Sequence, residues 1–182
     1  MKKLIALLLA ALMMMSCVAL ADTTNVAMDL DESITVTMVL PEGYTYAANV
    51  GDDGILSMQI IKDEDSLNAA IAVAADGDYD ETERLNDLTD AQKAEFAAMF
   101  IEDMDEDEPW SIKTTGYGSE VIVIEEAEGE YDLAILVSMY HGYDIVMYVG
   151  YQDGRMLTDD DIALAMQFLT DMQFETKIPE AA

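Results

Sequence analysis

The chain has one cysteine, one histidine and one tryptophan in 182 residues, and only 8 Lys and Arg against 38 Asp and Glu. Each scarcity removes a class of chemistry. The cysteine is Cys17, inside an N-terminal segment that reads as a secretory signal. A chain that loses it has no disulfide, no thiol nucleophile and no thiolate metal site, so its fold rests on packing alone. The lone histidine, His141, sits at a hairpin turn. A catalytic histidine needs a nucleophile or metal and an orienting partner, so a Ser-His-Asp triad and a His-rich zinc site are not expected. The shortage of cations excludes nucleic acid, whose affinity comes from Lys and Arg on phosphate. There is no phosphate-binding Gly-rich loop, no G-x-S-x-G and no Asp-Thr-Gly or Asp-Ser-Gly. Only Trp110 could serve as a large sugar platform.

Long hydrophobic runs are also few. Leu4 to Met15 is the longest, and it is shorter than the roughly 20 apolar residues a membrane-spanning helix needs. Lys2 and Lys3 precede it and small residues follow, the layout of a secretory signal. Ala19-Leu20-Ala21 matches the A-x-A cleavage pattern and leaves Asp22 as the new terminus. The alternative is lipid attachment at Cys17, after Met14-Met15-Ser16. No later segment reads as a transmembrane helix, so the mature chain is expected outside the cytoplasm. Lys2 and Lys3 leave with the signal. The 6 remaining cations then face 38 acids, a formal charge of −32. Anionic lipid surfaces should repel such a chain, while basic partners and divalent cations should be attracted.

What is present is a core. The chain is 52% hydrophobic, which sets it apart from a disordered acidic tail. Residues 22–32 read as a loose polar segment, 33–176 as one domain and 177–182 as a tail. "SITVTMVL" alternates, with Ile34, Val36 and Met38 on one side, as in a half-buried strand. "PEGY" ends it with a turn. "ILSMQII" and "LNAAIAVAA" give the next strands. Thr89 and Gln92 form a capping box for a helix over "DAQKAEFAAMFIEDM", with Phe96, Met99, Phe100 and Met104 on one face. Further strands follow in "WSIKTTGYG", "EVIVIEEA" and "YDLAILVSMY". His141-Gly142 turns the last of these into "YDIVMYVGY". That register sets Tyr140 against Tyr143, Leu136 against Met147 and Val137 beside Val146. Both faces of this hairpin are apolar, which places it mid-sheet with both sides covered. Thr158 caps a closing helix whose buried stripe is Ile162, Ala165, Met166, Leu169 and Met172, with Asp159 to Asp161 at the positive end of its dipole. The order predicts an α+β fold, an antiparallel sheet packed with two main helices.

A strand running into "LPEGY", antiparallel strands, an inserted helix, the "YHGYDIVMY" hairpin and a closing helix together resemble the PsbP-like group. That group comprises extrinsic photosystem II subunits and secreted bacterial relatives. The similarity spans roughly Ile34 to Phe174, with Tyr44 where the group typically has Trp. The resemblance implies a PsbP-like sandwich and a non-enzymatic role, docking on envelope or membrane proteins. It carries over no catalytic residue.

The sharpest local motif is "DGDYDETERLND", residues 76–87. Counted as a calcium loop, Asp76, Asp78 and Asp80 fall at positions 1, 3 and 5, and Asp87 at position 12. Position 6 is Glu81 where the loop wants Gly, and the preceding residues read as strand. The competing reading is a solvated corner leading into a helix. "DMDEDE" and "EEAEGE" read as exposed acidic turns. Tyr140, Tyr143, Tyr148 and Tyr151 suit either a binding face or ordinary strand positions. Three functions follow from these observations. The first is a secreted acidic module without catalysis or cofactor that binds another envelope or extracellular protein. The alternatives are a weak calcium-binding surface protein and a hydrolase working with carboxylates alone.

Overall fold

The computed structural model describes residues 25–30, 34–51, 54–63, 66–75, 84–101, 110–116, 118–125, 133–140, 142–151, 153, 155–170 and 172–176. The strands are β1 (Asn25–Asp29), β2 (Ile34–Val39), β3 (Thr45–Val50), β4 (Leu56–Ile61), β5 (Asn68–Ala75), β6 (Trp110–Thr114), β7 (Glu120–Glu125), β8 (Leu133–Tyr140), β9 (Tyr143–Gly150) and β10 (Gln173–Thr176). The helices are α1 (Asp90–Ile101) and α2 (Asp159–Thr170), with a 3-10 turn at Leu85–Asp87.

Two antiparallel sheets form. One has three strands in the order β1-β2-β10, the other seven in the order β3-β4-β5-β9-β8-β7-β6. Strand accounts for 54% of the described residues and helix for 23%. This corrects the expected α+β sandwich of one antiparallel sheet packed with two main helices. α1 packs on one face of the large sheet, and α2 shares the other face with the small sheet. Three strands that the sequence pattern does not announce, β1, β3 and β10, shift the balance to sheet on sheet. β1 lies in the segment expected to be loose, and its Val26 is fully buried.

The pleat of the large sheet sends alternate residues to two separate cores. Its inner face carries Met58, Ile71, Met147, Leu136 and Val123, packed with Val36 and Met38 of β2 and with Ile162, Phe168 and Leu169 of α2. Its outer face carries Ile122, Ile124, Ile135, Val137 and Val146, packed under Phe96 and Phe100 of α1. The β8–β9 hairpin therefore sits mid-sheet with both faces covered, as its two-sided apolar pattern predicts. Its register pairs Tyr140 with Tyr143, Val137 with Val146 and Leu136 with Met147, as expected.

The helix ends follow their caps. Thr89 accepts from the Gln92 N–H at 3.4 Å, and Gln92 Oε1 accepts from the Thr89 N–H at 3.0 Å. The α1 face departs from expectation. Lys93, Phe96, Ala97 and Phe100 turn inward while Met99 stays exposed, and Met104 lies outside the described residues. The register shifts because Lys93 has a partner on the sheet, the Glu120 carboxylate at the start of β7. The α2 stripe is the expected one with Phe168 added.

"PEGY" is a turn closed by the Tyr44 N–H donating to the Pro41 carbonyl at 3.1 Å. Gly43 has φ +84, and a Cβ there would come within 2.9 Å of Lys62 Cε. The positive φ is what favours glycine, since the Lys62 side chain could swing aside for a Cβ. The turn delivers the Tyr44 ring edge-on to Phe168, 5.3 Å between centroids.

Candidate functional site

The large sheet ends at β6, which pairs only with β7. Among the described residues nothing pairs with its outer edge. An edge strand presents unpaired N–H and C=O groups, and natural edges are usually short, charged or covered. This one is short and carries Lys113, but it also exposes two large apolar side chains. Trp110 is 37% exposed and Ile112 39% exposed. Alternation puts both on the outer face, opposite Ile124 and Ile122 of β7. Lys113 points to the inner face, toward α2, where a cleft of about 430 Å³ includes Lys113, Asp159 and Gln167.

The strand is held firmly from inside. Asn86, in the 3-10 turn, donates to the Gly118 carbonyl and accepts from the Glu120 N–H, both at 2.9 Å. Those two bonds fix the β6–β7 turn. The Lys93–Glu120 ion pair then ties α1 to the same end of β7.

The residues singled out from sequence distribute differently. Asp76, Asp78 and Asp80 lie outside the described residues, as do Cys17 and His141. Asp87 is described. It closes the 3-10 turn, its carboxylate accepting from the Arg84 N–H at 3.1 Å. No group of three or more His, Cys, Asp or Glu placed to hold a metal occurs among the described residues. Among those residues, too, no helix is long and apolar enough to cross a membrane.

Several described carboxylates have structural work. Asp161 accepts from the Thr158 N–H at 2.8 Å and its hydroxyl at 2.7 Å, which caps α2. It also accepts from the Tyr151 hydroxyl at 2.6 Å. Burial pulls the Asp161 carboxyl up, but the bonds from Tyr151 and Thr158 outweigh it and hold the group below its ordinary value. The bond to Asp161, then burial and the Asp161 charge, push the Tyr151 phenol up to about 12. Arg155 lies over the Tyr151 ring, 4.4 Å from the centroid, and grips Asp153 through Nε and Nη2, each at 3.0 Å.

The four tyrosines divide by position. Tyr140 and Tyr143 meet Phe174, at 4.8 and 6.2 Å between centroids. Tyr148 is half-buried on the outer face, and burial raises its phenol. Tyr151 belongs to the α2 cap. The β6 edge is a feature that sequence reasoning misses. "WSIKT" reads as a strand, but nothing in one sequence says whether a strand is central or terminal. No family model, curated protein or solved structure matches the chain.

Proposed function

We propose that this chain is an extracytoplasmic, non-catalytic binding module that takes up an extended segment of a partner protein along β6. The observation that carries the reading is an edge strand, open among the described residues, with Trp110 and Ile112 exposed on one face. Strand addition uses main-chain hydrogen bonds for affinity and alternate side chains for specificity. Trp110 and Ile112 supply the alternate apolar contacts. The formal charge of −30 over the whole chain selects a partner segment flanked by basic residues and speeds the encounter. The signal-like N-terminus supports the location.

A photo-crosslinking residue at position 112, with position 49 on the opposite edge strand as control, tests the proposal. The expected result is one discrete adduct from extracytoplasmic fractions at 112 and none at 49. The purified partner should then bind with salt-dependent affinity, and Ile112→Lys should weaken it roughly tenfold or more. Equal adducts at both positions, or unchanged affinity in Ile112→Lys, would overturn it.

A further inference from the structure

On the inner face, away from the outer edge of β6, a second cleft of about 370 Å³ opens between the end of the β8–β9 hairpin and the C-terminal end of α2 with β10. That volume falls within the roughly 300–1,000 Å³ of small-molecule sites. Its apolar wall includes Ile145, Leu169, Met172 and Phe174. Its one charged group among the described lining residues is Arg84. In a chain with 38 acids and 8 cations, a cleft lined by a guanidinium and no described carboxylate runs against composition.

Arg84 is placed there by the backbone. It forms an isolated antiparallel bridge with Tyr140, the last residue of β8. Its guanidinium then lies over the Tyr140 ring, 5.9 Å from the centroid. The same ring stacks on Phe174 at 4.8 Å. Three other described cations are engaged elsewhere: Lys93 with Glu120, Arg155 with Asp153, and Lys62 over Tyr44. Arg84 is exposed, and among the described residues no carboxylate forms an ion pair with it. Three hydroxyls of the lining are spent on backbone. Ser138 donates to the Glu120 carbonyl at 3.0 Å, Thr170 donates to the Met166 carbonyl at 2.8 Å, and Thr115 accepts from the Ser119 N–H at 3.1 Å. The guanidinium is therefore the one charged handle among the described lining residues, with Ser119 and Gln173 adding neutral polar groups.

We infer that this cleft binds a small amphipathic carboxylate, with its carboxylate on Arg84 and its apolar tail among Ile145, Leu169 and Met172. A guanidinium fork matches a carboxylate in two parallel hydrogen bonds, and a rim aromatic holds the fork in place. The neighbouring cleft toward β6 carries Lys113 and Asp159 together, so its charges offset and it lacks this preference.

The test is an amide NMR titration of the full chain without its signal. Decanoate and hydrocinnamate serve as probes, and uncharged decanol as the control. The expected result is saturable shifts at Leu169, Met172 and Phe174 with at least one of the two acids. If decanoate alone binds, the tail is alkyl. If hydrocinnamate alone binds, it is aromatic. Arg84→Gln should weaken the acid roughly tenfold, the scale of a lost charge-assisted pair, Arg84→Lys should weaken it less, and Arg155→Gln should leave it unchanged. Far-UV circular dichroism checks that each variant is folded. No saturable shift with either acid would overturn the inference. So would decanol binding as tightly as decanoate, or Arg84→Gln binding like the wild type.

Discussion

Lys93 is the residue that the sequence places least well. On a helix of so acidic a chain it belongs in solvent, yet it is 6% exposed and sits at an inward position of α1. Its ion pair with Glu120 makes this tolerable, because a buried ammonium is costly unless it is paired. Removing one member strands the other. Lys93→Met should destabilise the chain by about 2–3 kcal/mol, toward the low side for a broken buried pair because Glu120 keeps some contact with water. Urea denaturation gives the value. A double-mutant cycle with Glu120→Gln should show strong coupling, whereas independent effects would mean the pair does not hold α1.

Tyr151 and Asp161 make a pH prediction at the same scale. The Asp161 carboxyl is held below its ordinary value in the folded chain. Its contribution is present above the unfolded carboxylate value of about 3.9 and lost as pH falls through the folded value. Tyr151→Phe removes one hydrogen bond, so the carboxyl should titrate at higher pH and acid unfolding should begin earlier. Carbon NMR of the Asp161 carboxyl checks this. The phenol works in the opposite direction. It is pushed up to about 12. Its contribution is full below the ordinary tyrosine value of about 10 and is lost as pH rises through about 12. Ultraviolet titration should show Tyr44, Tyr148 and Tyr151 ionising late, since burial raises the first two as well.

At the scale of elements, β10 is the piece most dependent on others. It has four residues and pairs only with β2. Phe174 anchors it to the large sheet by stacking on Tyr140 and meeting Tyr143. Phe174→Ala should cost about 2 kcal/mol, less than a fully buried phenylalanine because the ring is half-buried. The loss should be local. Hydrogen exchange should speed up across β10 and β2 while β8 and β9 keep their protection. Uniform loss across both sheets would mean that they unfold as one unit.

The elements also show where sequence reasoning works. The β8–β9 hairpin is legible in register and in placement, because apolar residues on both faces demand cover on both sides. The α2 stripe and both helix caps are legible for similar local reasons. β3 is not. Its "TYAANV" carries two alanines and an asparagine, weak strand formers, and it is a strand because β4 pairs with it over six residues. β1 and β10 are only five and four residues long, and each gains its place from β2.

For the whole molecule the strongest global influence is charge. A formal −30 on 182 residues opposes the compact state through self-repulsion. Added salt should screen that repulsion, so the urea midpoint should rise with sodium chloride. The ion pairs weaken under the same screening but are few beside the acids. A midpoint that falls with salt would mean that specific pairs, with Lys93–Glu120 foremost, outweigh the net repulsion.

Composition and local pattern determined the net acidity, the two helices, the caps and the central hairpin. Each depends on residues within one or two turns, or on a count that no fold can change. The tertiary structure alone decided that there are two sheets, that Lys93 turns inward, that β6 is an edge and that Arg84 faces a cleft. These depend on pairings between segments far apart in the chain, such as β2 with β10 and Arg84 with Tyr140. A strand's pattern states which face is buried, but its neighbours, and so its edge, are fixed only when the whole sheet assembles.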